Sequence, residues 1–303
     1  PFDAAKRTLY LAVRHQQVPL DVVVEADALA GDLKTYRLLY LTDQNVSRAC
    51  SKAIADWVEA GGRLFATSGA GMFDEFNRPN DIMRRLLGVE QRRSLDVPTE
   101  PVRLEKQDLP FAQAIDQVTF ETAIGNVQMP VINVRSRFEL AAVGDAGPVV
   151  QGRFRDGAPA VSVRTVGKGQ AIYCGFLPGL SYFKPAIPLR PIDRGTTDDS
   201  MAHFIPTEFD RGASALIGLP AASVERPVVC SEPLVETTVI RAKQGMVISL
   251  VNWSGRPVKA LSLKLSIPSV PATKPRLASG GTVIRADDGF TFDLDVADAL
   301  ILQ

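Results

Sequence analysis

The stretch SRACSKAIADWVEAGGRLFATSGAG, residues 47–71, decides the fold. Ser47 is a residue type that caps helix N-termini, because its hydroxyl accepts a hydrogen bond from an unpaired backbone amide. The apolar residues behind it have the spacing of one buried helix face and are Cys50, Ala53, Ile54, Trp57 and Val58. Gly61 and Gly62 end this helix, and the apolar run 64–67 then predicts a strand.

The alternation of helix and strand extends to both sides of this stretch. Apolar residues at helical spacing predict a first helix and are Phe2, Ala5, Leu9, Ala12 and Val13. We expect further strands at 20–24 and 38–41, and a helix at 82–87 that Gly88 ends. Because these strands are continuous apolar runs separated by helices, they indicate an α/β fold with a doubly wound, flavodoxin-like parallel sheet.

The middle of the chain is less regular. The runs 160–164 and 170–174 flank Val166-Gly167-Lys168-Gly169 and predict a β-hairpin, whereas 103–128 gives only weak signals. Residues 176–195 are rich in proline and glycine, which predicts a long surface loop. A last helix is expected from Thr207 to Leu219, before Pro220.

The C-terminal region has a β pattern. Strands are expected at 235–241, 246–253, 258–265, 282–286, 290–294 and 299–302. Short strands separated by glycine turns predict a small β-sandwich. Pro220, Pro227 and Pro233 suit a stiff connector. We therefore expect two domains, 1–222 and 223–303, with separate cores.

The charge balance and the composition argue against several classes of function. Thirty-four basic and 34 acidic residues in 303 give no net charge, so neither nucleic acid nor a membrane surface is an expected partner. No apolar stretch reaches the roughly 20 residues of a membrane-spanning helix. Cys50, Cys174 and Cys230 are odd in number and widely spaced, which favours buried free thiols. No motif assigns a cofactor, a metal or a cellular compartment.

Ser68 is the candidate nucleophile. It follows a predicted strand in Ala66-Thr67-Ser68-Gly69-Ala70-Gly71, as the serine of a nucleophile elbow does, but Ala66 stands where that motif has glycine. A tight strand-to-helix turn explains the same residues, and the glycines could also cradle a phosphate. A serine nucleophile needs a base, for which His203 is the candidate; His203 and His15 both suit structural roles as well.

Paired carboxylates are the remaining candidates for chemistry. They are Asp74-Glu75, Asp198-Asp199 and Asp287-Asp288. Glycoside hydrolysis needs two carboxyl groups facing each other across the substrate, so sequence neighbours favour solvated turns or helix caps instead.

Several stretches together resemble the glutamine-amidotransferase-like domain known as the β-galactosidase trimerisation domain. They are VPLDVV (18–23), ADWVEAGGRL (55–64), GAGMFDE (69–75) and VGKGQAIY (166–173), and a β-region ending in DALIL (298–302) follows, as in those proteins. The resemblance covers most of 1–220. The class I glutamine amidotransferase motifs G-x-C-x-G and His-x-Glu are absent, since Phe204 and Ile205 follow His203.

This resemblance implies a non-catalytic assembly or accessory region of a larger carbohydrate-active protein. In such glycoside hydrolases the catalytic carboxylates lie in a preceding (β/α)-barrel, and this part serves assembly and shapes the substrate cleft. The implied partners are the upstream region of the parent chain, further copies in a homo-oligomer, and carbohydrate. Two alternatives stay open: a hydrolase using Ser68 with His203, and a carbohydrate or small-molecule binding module at the carboxyl ends of the strands.

The order of the elements suggests a missing strand. A flavodoxin-type sheet places its first strand inside the sheet, but here a helix comes first, and the chain begins at Pro1 without methionine. We therefore expect a strand upstream of Pro1, or one from a partner, to lie between the predicted strands at 20–24 and 38–41.

Overall fold

The computed structural model describes residues 2–95, 114–122, 125–141, 147–186, 206–222, 224–267 and 275–303. Its α-helices are α1 (Phe2–His15), α2 (Glu25–Ala30), α3 (Arg48–Glu59), α4 (Asp81–Leu87), α5 (Pro178–Phe183) and α6 (Arg211–Gly218). Its strands are β1 (Leu38–Leu41), β2 (Arg63–Ala66), β3 (Val89–Leu95), β4 (Ala114–Thr122), β5 (Gly125–Ile132), β6 (Ser136–Leu140), β7 (Val149–Phe154), β8 (Pro159–Val166), β9 (Gly169–Cys174), β10 (Val228–Cys230), β11 (Val235–Ala242), β12 (Gly245–Asn252), β13 (Val258–Leu265), β14 (Arg276–Leu277), β15 (Ile284–Ala286), β16 (Gly289–Leu294) and β17 (Ala297–Leu302).

These elements form two compact units. The first takes the described residues within 2–10, 21–186 and 210–222, and the second those within 11–20, 206–209 and 224–303. The predicted division into independent domains, 1–222 and 223–303, stays a prediction.

The first unit is built on a seven-stranded mixed sheet with the order β1-β2-β9-β8-β7-β4-β5. The prediction of an α/β fold is confirmed, but the parallel sheet is confirmed only in part. β1, β2 and β9 pair in parallel, whereas the hairpin β8–β9 and the following strands pair antiparallel. β3 and β6 form a separate two-stranded sheet.

The helix and the strand predicted within residues 47–71 are present in the structure. The Ser47 hydroxyl accepts a hydrogen bond from the amide of Cys50 at 3.2 Å, and Cys50, Ile54 and Val58 are buried on the inner face of α3. Gly88, with a φ of 68°, ends α4 as predicted, because a left-handed residue closes a helix most easily when it has no Cβ.

Two predictions in this unit are wrong. Residues 20–24 form no strand, and Val22 is 79% exposed. The predicted surface loop 176–195 begins with the buried helix α5, in which Pro178 occupies the first turn, where its missing amide hydrogen costs no hydrogen bond. Residues 187–195 lie outside the described residues. The last predicted helix starts later than expected, at Arg211, because the carboxylate of Asp210 caps it by accepting from the amide of Ala213.

The second unit contains two four-stranded antiparallel sheets, with the orders β10-β13-β16-β15 and β11-β12-β17-β14. Buried residues from both sheets form one hydrophobic cluster, which includes Ile248, Leu261, Phe292 and Leu300. The six predicted strands are present with small changes at their ends, and β10 and β14 were not expected.

Candidate functional site

Ser68 lies two residues after the end of β2 and is completely buried. Its amide donates to the carbonyl of Phe176 at 3.2 Å, and its hydroxyl is hydrogen bonded to the hydroxyl of Ser136, which is also buried. Sequence reasoning missed Ser136, because nothing near it in the chain signals a partner so far away. A nucleophile elbow exposes its serine to substrate, whereas this hydroxyl is enclosed.

The glycines after Ser68 serve a tight turn. Gly69 and Gly71 have φ values of 82° and 63°, and a Cβ on Gly71 would lie 2.8 Å from Cγ of Met83. The amides of Ala70, Gly71 and Met72 donate to the carbonyls of Thr67, Asp43 and Gly69 at 2.9–3.1 Å. A phosphate cradle needs amides that are free to donate to the ligand, so this turn does not supply one.

The polar groups beside this turn are engaged with each other. The hydroxyl of Tyr173 donates to Oε1 of Gln91 at 2.8 Å, and Nε2 of Gln91 donates to the carbonyl of Ala70 at 2.9 Å. Burial raises the pKa of the Tyr173 phenol above its usual range, so it stays protonated. Tyr173, Gln91 and the carbonyl of Ala70 are thus linked by hydrogen bonds at this edge of the sheet.

The predicted base His203 lies outside the described residues, so its pairing with Ser68 stays a prediction. His15, in the second unit, packs edge-to-face against Phe209 with ring centroids 4.7 Å apart. Burial lowers the pKa of the His15 imidazole to about 4, although the nearby carboxylate of Glu236 opposes this change. His15 is therefore neutral at pH 7 and has a packing role.

Asp74 and Glu75 brace a loop. The carboxylate of Asp74 accepts from the amides of Arg78 and Phe76, each at 2.9 Å, and Glu75 accepts from the amide of Arg48 at 2.8 Å. The amide of Arg78, followed by that of Phe76, holds the pKa of the Asp74 carboxyl below its usual range. For Glu75 its own amide, followed by that of Arg48, does the same. Both groups are ionised at neutral pH and are poor general acids.

Neither of the other two carboxylate pairs forms a described site. Asp288 forms an exposed ion pair with Nζ of Lys264 at 2.7 Å, whereas Asp198-Asp199 lies outside the described residues.

The loop 72–80 is held firmly and displays an aromatic side chain. Its backbone is tied to the segment before α3, where the amide of Val46 donates to the carbonyl of Phe73 at 2.9 Å and Nδ2 of Asn45 donates to the carbonyl of Asp74 at 3.1 Å. The Phe76 ring is 63% exposed and lies under the guanidinium of Arg48, whose Cζ is 5.3 Å from the ring centroid. We call this surface the Phe76 loop.

The second unit contains a groove of about 310 Å³, lined by Arg14, Gln17, Pro19, Leu20, Pro227, Val228, Thr237, Thr238 and Val239. Two of its polar side chains have partners within the unit. Arg14 forms an ion pair with Glu236 at 2.6 Å, and Nε2 of Gln17 donates to the carbonyl of Glu232 at 3.1 Å. Arg14 and Gln17 therefore bind residues of the second unit itself.

Other kinds of site have little support among the described residues. Within the described ranges, His, Cys, Asp and Glu side chains form no group of three or more that could hold a metal ion. None of the helices in this part of the chain has the length and apolar character needed to cross a membrane. Cys50, Cys174 and Cys230 are buried free thiols, as predicted, and burial raises the pKa of Cys50 to about 11.

The fold is a mixed α/β unit followed by antiparallel sheets, and the candidate residues Ser68, Asp74 and Glu75 are held by hydrogen bonds within the first unit. The chain belongs to the β-galactosidase trimerisation domain family, whose model matches residues 3–185. No curated protein matches the sequence.

Several solved structures share the fold. A catalytic mutant of Gan42B, a GH42 β-galactosidase from G. stearothermophilus, matches with a TM-score of 0.62 and 16% identity, over 98% of this chain and 35% of that chain. A β-galactosidase from Bacillus circulans sp. alkalophilus matches with a TM-score of 0.63 and 13% identity, over 100% of this chain and 38% of that one. An α-L-fucosidase isoenzyme 2 from Paenibacillus thiaminolyticus matches with a TM-score of 0.59 and 12% identity, over 99% and 45%. The chain spans less than half the length of these relatives.

Proposed function

We propose that this chain is the assembly region of a larger glycoside hydrolase and that it supplies no catalytic carboxylate itself. The observation that carries the proposal is membership of a family described by trimerisation, together with a fold that corresponds to about a third of two β-galactosidases. The paired carboxylates Asp74 and Glu75 support it, because both accept hydrogen bonds from backbone amides.

The Phe76 loop is the surface that we assign to contact between copies. Aromatic and arginine side chains dominate the energetics of protein interfaces, and they do so best when they are held rigidly before binding. Phe76 and Arg48, the first residue of α3, form such a pair, and the loop that carries Phe76 is fixed by backbone hydrogen bonds to residues before α3. The occupant we propose is a second copy of the same protein.

We also propose a more specific description of the fold of each unit. A flavodoxin-like, glutamine-amidotransferase-like origin is supported by the parallel β1-β2-β9 core with α3 between β1 and β2. A C-terminal β-sandwich is supported by two four-stranded sheets that share one hydrophobic cluster. The boundary near 222 and a carbohydrate ligand for the parent protein remain proposals.

The hydrolase alternative has less support. The burial of Ser68 and its pairing with Ser136 disfavour a nucleophilic role, and the partner histidine is outside the described residues.

The test compares two substitutions of equally exposed apolar residues in the whole protein that contains this chain. Phe76→Ala removes the proposed contact, and Ile284→Ala is the matched control, since both side chains are 63% exposed. Light-scattering mass over a dilution series should show self-association weakened about 30-fold by Phe76→Ala, as expected for an interface hot spot. Ile284→Ala should leave it unchanged. Equal behaviour of the two variants would remove the Phe76 loop from the interface.

A further inference from the structure

Strand β11 is the long edge strand of the second unit. In the described part of the chain, the two sheets of this unit have four edges, which are formed by β10, β15, β14 and β11. The first three strands have two or three residues each, whereas β11 has eight. Natural sheets commonly protect their edges by short strands or by Lys and Pro side chains. Residues 237–240 in the centre of β11 include neither Lys nor Pro, so this edge lacks such protection.

The backbone groups of β11 alternate between its partner strand and the open side. β11 pairs antiparallel with β12, and the amide of Trp253 donates to the carbonyl of Leu234 at 2.9 Å in continuation of this ladder. In an antiparallel pair, only every second residue exchanges hydrogen bonds with its neighbour. The even-numbered residues of β11 are therefore bonded to β12, and Thr237 and Val239 direct their amides and carbonyls away from it.

Two contacts agree with this alternation. The carbonyl of Thr237 accepts from Nη2 of Arg14 at 3.4 Å, and the amide of Val235 donates to the carbonyl of Glu232 at 3.1 Å. Neither of these partners belongs to β12, as expected for odd-numbered residues. Among the described residues, the amide and the carbonyl of Val239 have no such partner on the open side.

The groove of about 310 Å³ in this unit includes the open edge. Residues 237–239 of β11 line it, together with the apolar pairs Pro19-Leu20 and Pro227-Val228. The charge of Arg14, which also lines the groove, is already paired with Glu236 at 2.6 Å. The groove therefore presents unpaired backbone donors and acceptors beside apolar side chains and a neutralised charge.

We propose that β11 accepts a strand from a partner protein: an extended, uncharged peptide segment that pairs with β11 through Thr237 and Val239. Extended peptides add to open sheet edges in this way, with the main chain supplying affinity and alternate side chains supplying specificity. An antiparallel direction is favoured because antiparallel pairing is slightly more stable, and the peptide residue opposite Val239 then exchanges two hydrogen bonds with it.

The lining of the groove favours an uncharged peptide over other ligands. A charged side chain would lose its hydration against Pro19, Leu20 and Pro227 without gaining an opposite charge, since Arg14 is already paired. A sugar carries hydroxyl groups but lacks the regular alternation of donor and acceptor that an extended backbone brings to a sheet edge.

Hydrogen exchange with a defined peptide tests the proposal in the whole protein that contains this chain. The probe is acetyl-Thr-Val-Thr-Val-Thr-amide, and its control is the same peptide with every backbone amide N-methylated. At about ten times the Kd of the probe, exchange of the Val239 amide should slow about tenfold, and the methylated peptide should leave it unchanged. No slowing at about 10 mM probe, ten times the Kd of a weak complex, would overturn the proposal. Equal slowing by both peptides would also overturn it.

Other occupants of the edge give different results in the same experiment. Slow exchange of Val239 without peptide at every protein concentration would place a segment of the same polypeptide on β11. Slow exchange that disappears on dilution would place a second copy there. Slowing by galactose at the concentration of the probe would make the groove a sugar site. Each of these outcomes would overturn the proposal.

Three substitutions in β11 separate the backbone of Val239 from its side chain. Val239→Pro removes the amide on the open side and spares the ladder with β12, whereas Val239→Ala keeps the amide and shortens the side chain. Arg241→Pro is the proline control, because Arg241 also faces away from β12 but does not line the groove.

Only Val239→Pro should weaken binding of the probe, by about tenfold in Kd. Unchanged binding by Val239→Pro, or an equal loss in Val239→Ala, would overturn the proposal. Circular dichroism shows whether each variant is folded. If Val239→Pro does not fold, the comparison of the two peptides still decides.

Discussion

The hydroxyl of Ser68 lies against the hydroxyl of Ser136, 68 residues further along the chain, and both side chains are buried. This contact joins the end of β2 to the start of β6. Ser68, which the sequence offers as the candidate nucleophile, therefore has a structural role.

Ser68→Ala should therefore reduce stability and leave assembly intact. Removal of one hydroxyl leaves the other buried without its partner, at a cost of about 1–3 kcal/mol. The double variant Ser68→Ala/Ser136→Ala should lose less than the sum of the two single losses, because the residues are directly coupled. Chemical denaturation of the three variants measures this. Strictly additive losses would mean that the hydrogen bond contributes nothing.

The buried ion pair of Arg135 and Asp116 should be a second stability determinant. Nη1 of Arg135 is 2.6 Å from Oδ2 of Asp116, with the two side chains 11% and 8% exposed, and the guanidinium lies 4.3 Å from the Phe154 ring centroid. Arg135→Ala should cost about 3–5 kcal/mol, because Asp116 is left as a buried charge.

The control for Arg135 is Arg256→Ala, which removes an ion pair with Glu232 from an arginine that is 67% exposed. Exposed pairs contribute about 1 kcal/mol or less. Urea unfolding should separate the two variants clearly, and similar losses would contradict the account.

Gly169, at the start of β9, should tolerate no side chain. A Cβ there would lie 2.0 Å from the carbonyl oxygen of Val58 and 2.2 Å from that of Gly62, and backbone atoms cannot move away as a flexible side chain can. Gly169→Ala should be among the exceptional substitutions that cost more than about 4 kcal/mol. Gly147→Ala is the control, since a Cβ there meets nothing within 4 Å. Circular dichroism melts that coincide for both variants would refute this packing.

His15 should make stability depend on pH. Its pKa is about 4 in the folded protein and about 6.5 when unfolded, so the unfolded state binds the proton more tightly. The contribution of the neutral imidazole is complete above pH 6.5 and is lost as the pH falls from 6.5 towards 4. The difference in melting temperature between the protein and His15→Asn should shrink over this interval. A difference that is constant from pH 7.5 to 4.5 would show that His15 does not titrate in this way.

The sequence predicted the features that depend on residues close together in the chain, and it missed those that depend on contacts between distant residues. Helix α3 was predicted from its cap at Ser47 and its apolar spacing, because both signals lie within the helix itself. The strand at 20–24 was predicted wrongly, because an apolar β-branched run forms a strand only beside a partner, and the sequence does not show one. Helix α5 was missed for a similar reason: Gly179 permits close contact with the backbone of Ala5 and Leu9, a non-local requirement that looks like a loop signal.

The candidate site shows the same limit. The position of Ser68 after β2 could be predicted, whereas its burial depends on Ser136 and Phe176, which are distant in sequence. The exposure of Phe76 depends on the hydrogen bonds that fix its loop to Asn45 and Val46.

Sedimentation velocity of the whole protein that contains this chain tests the central claim most directly. If the chain is an assembly region, the protein should sediment at micromolar concentration as a self-associated species with the mass of a trimer, and Phe76→Ala should shift it towards the monomer. A monomer at every concentration would contradict the account.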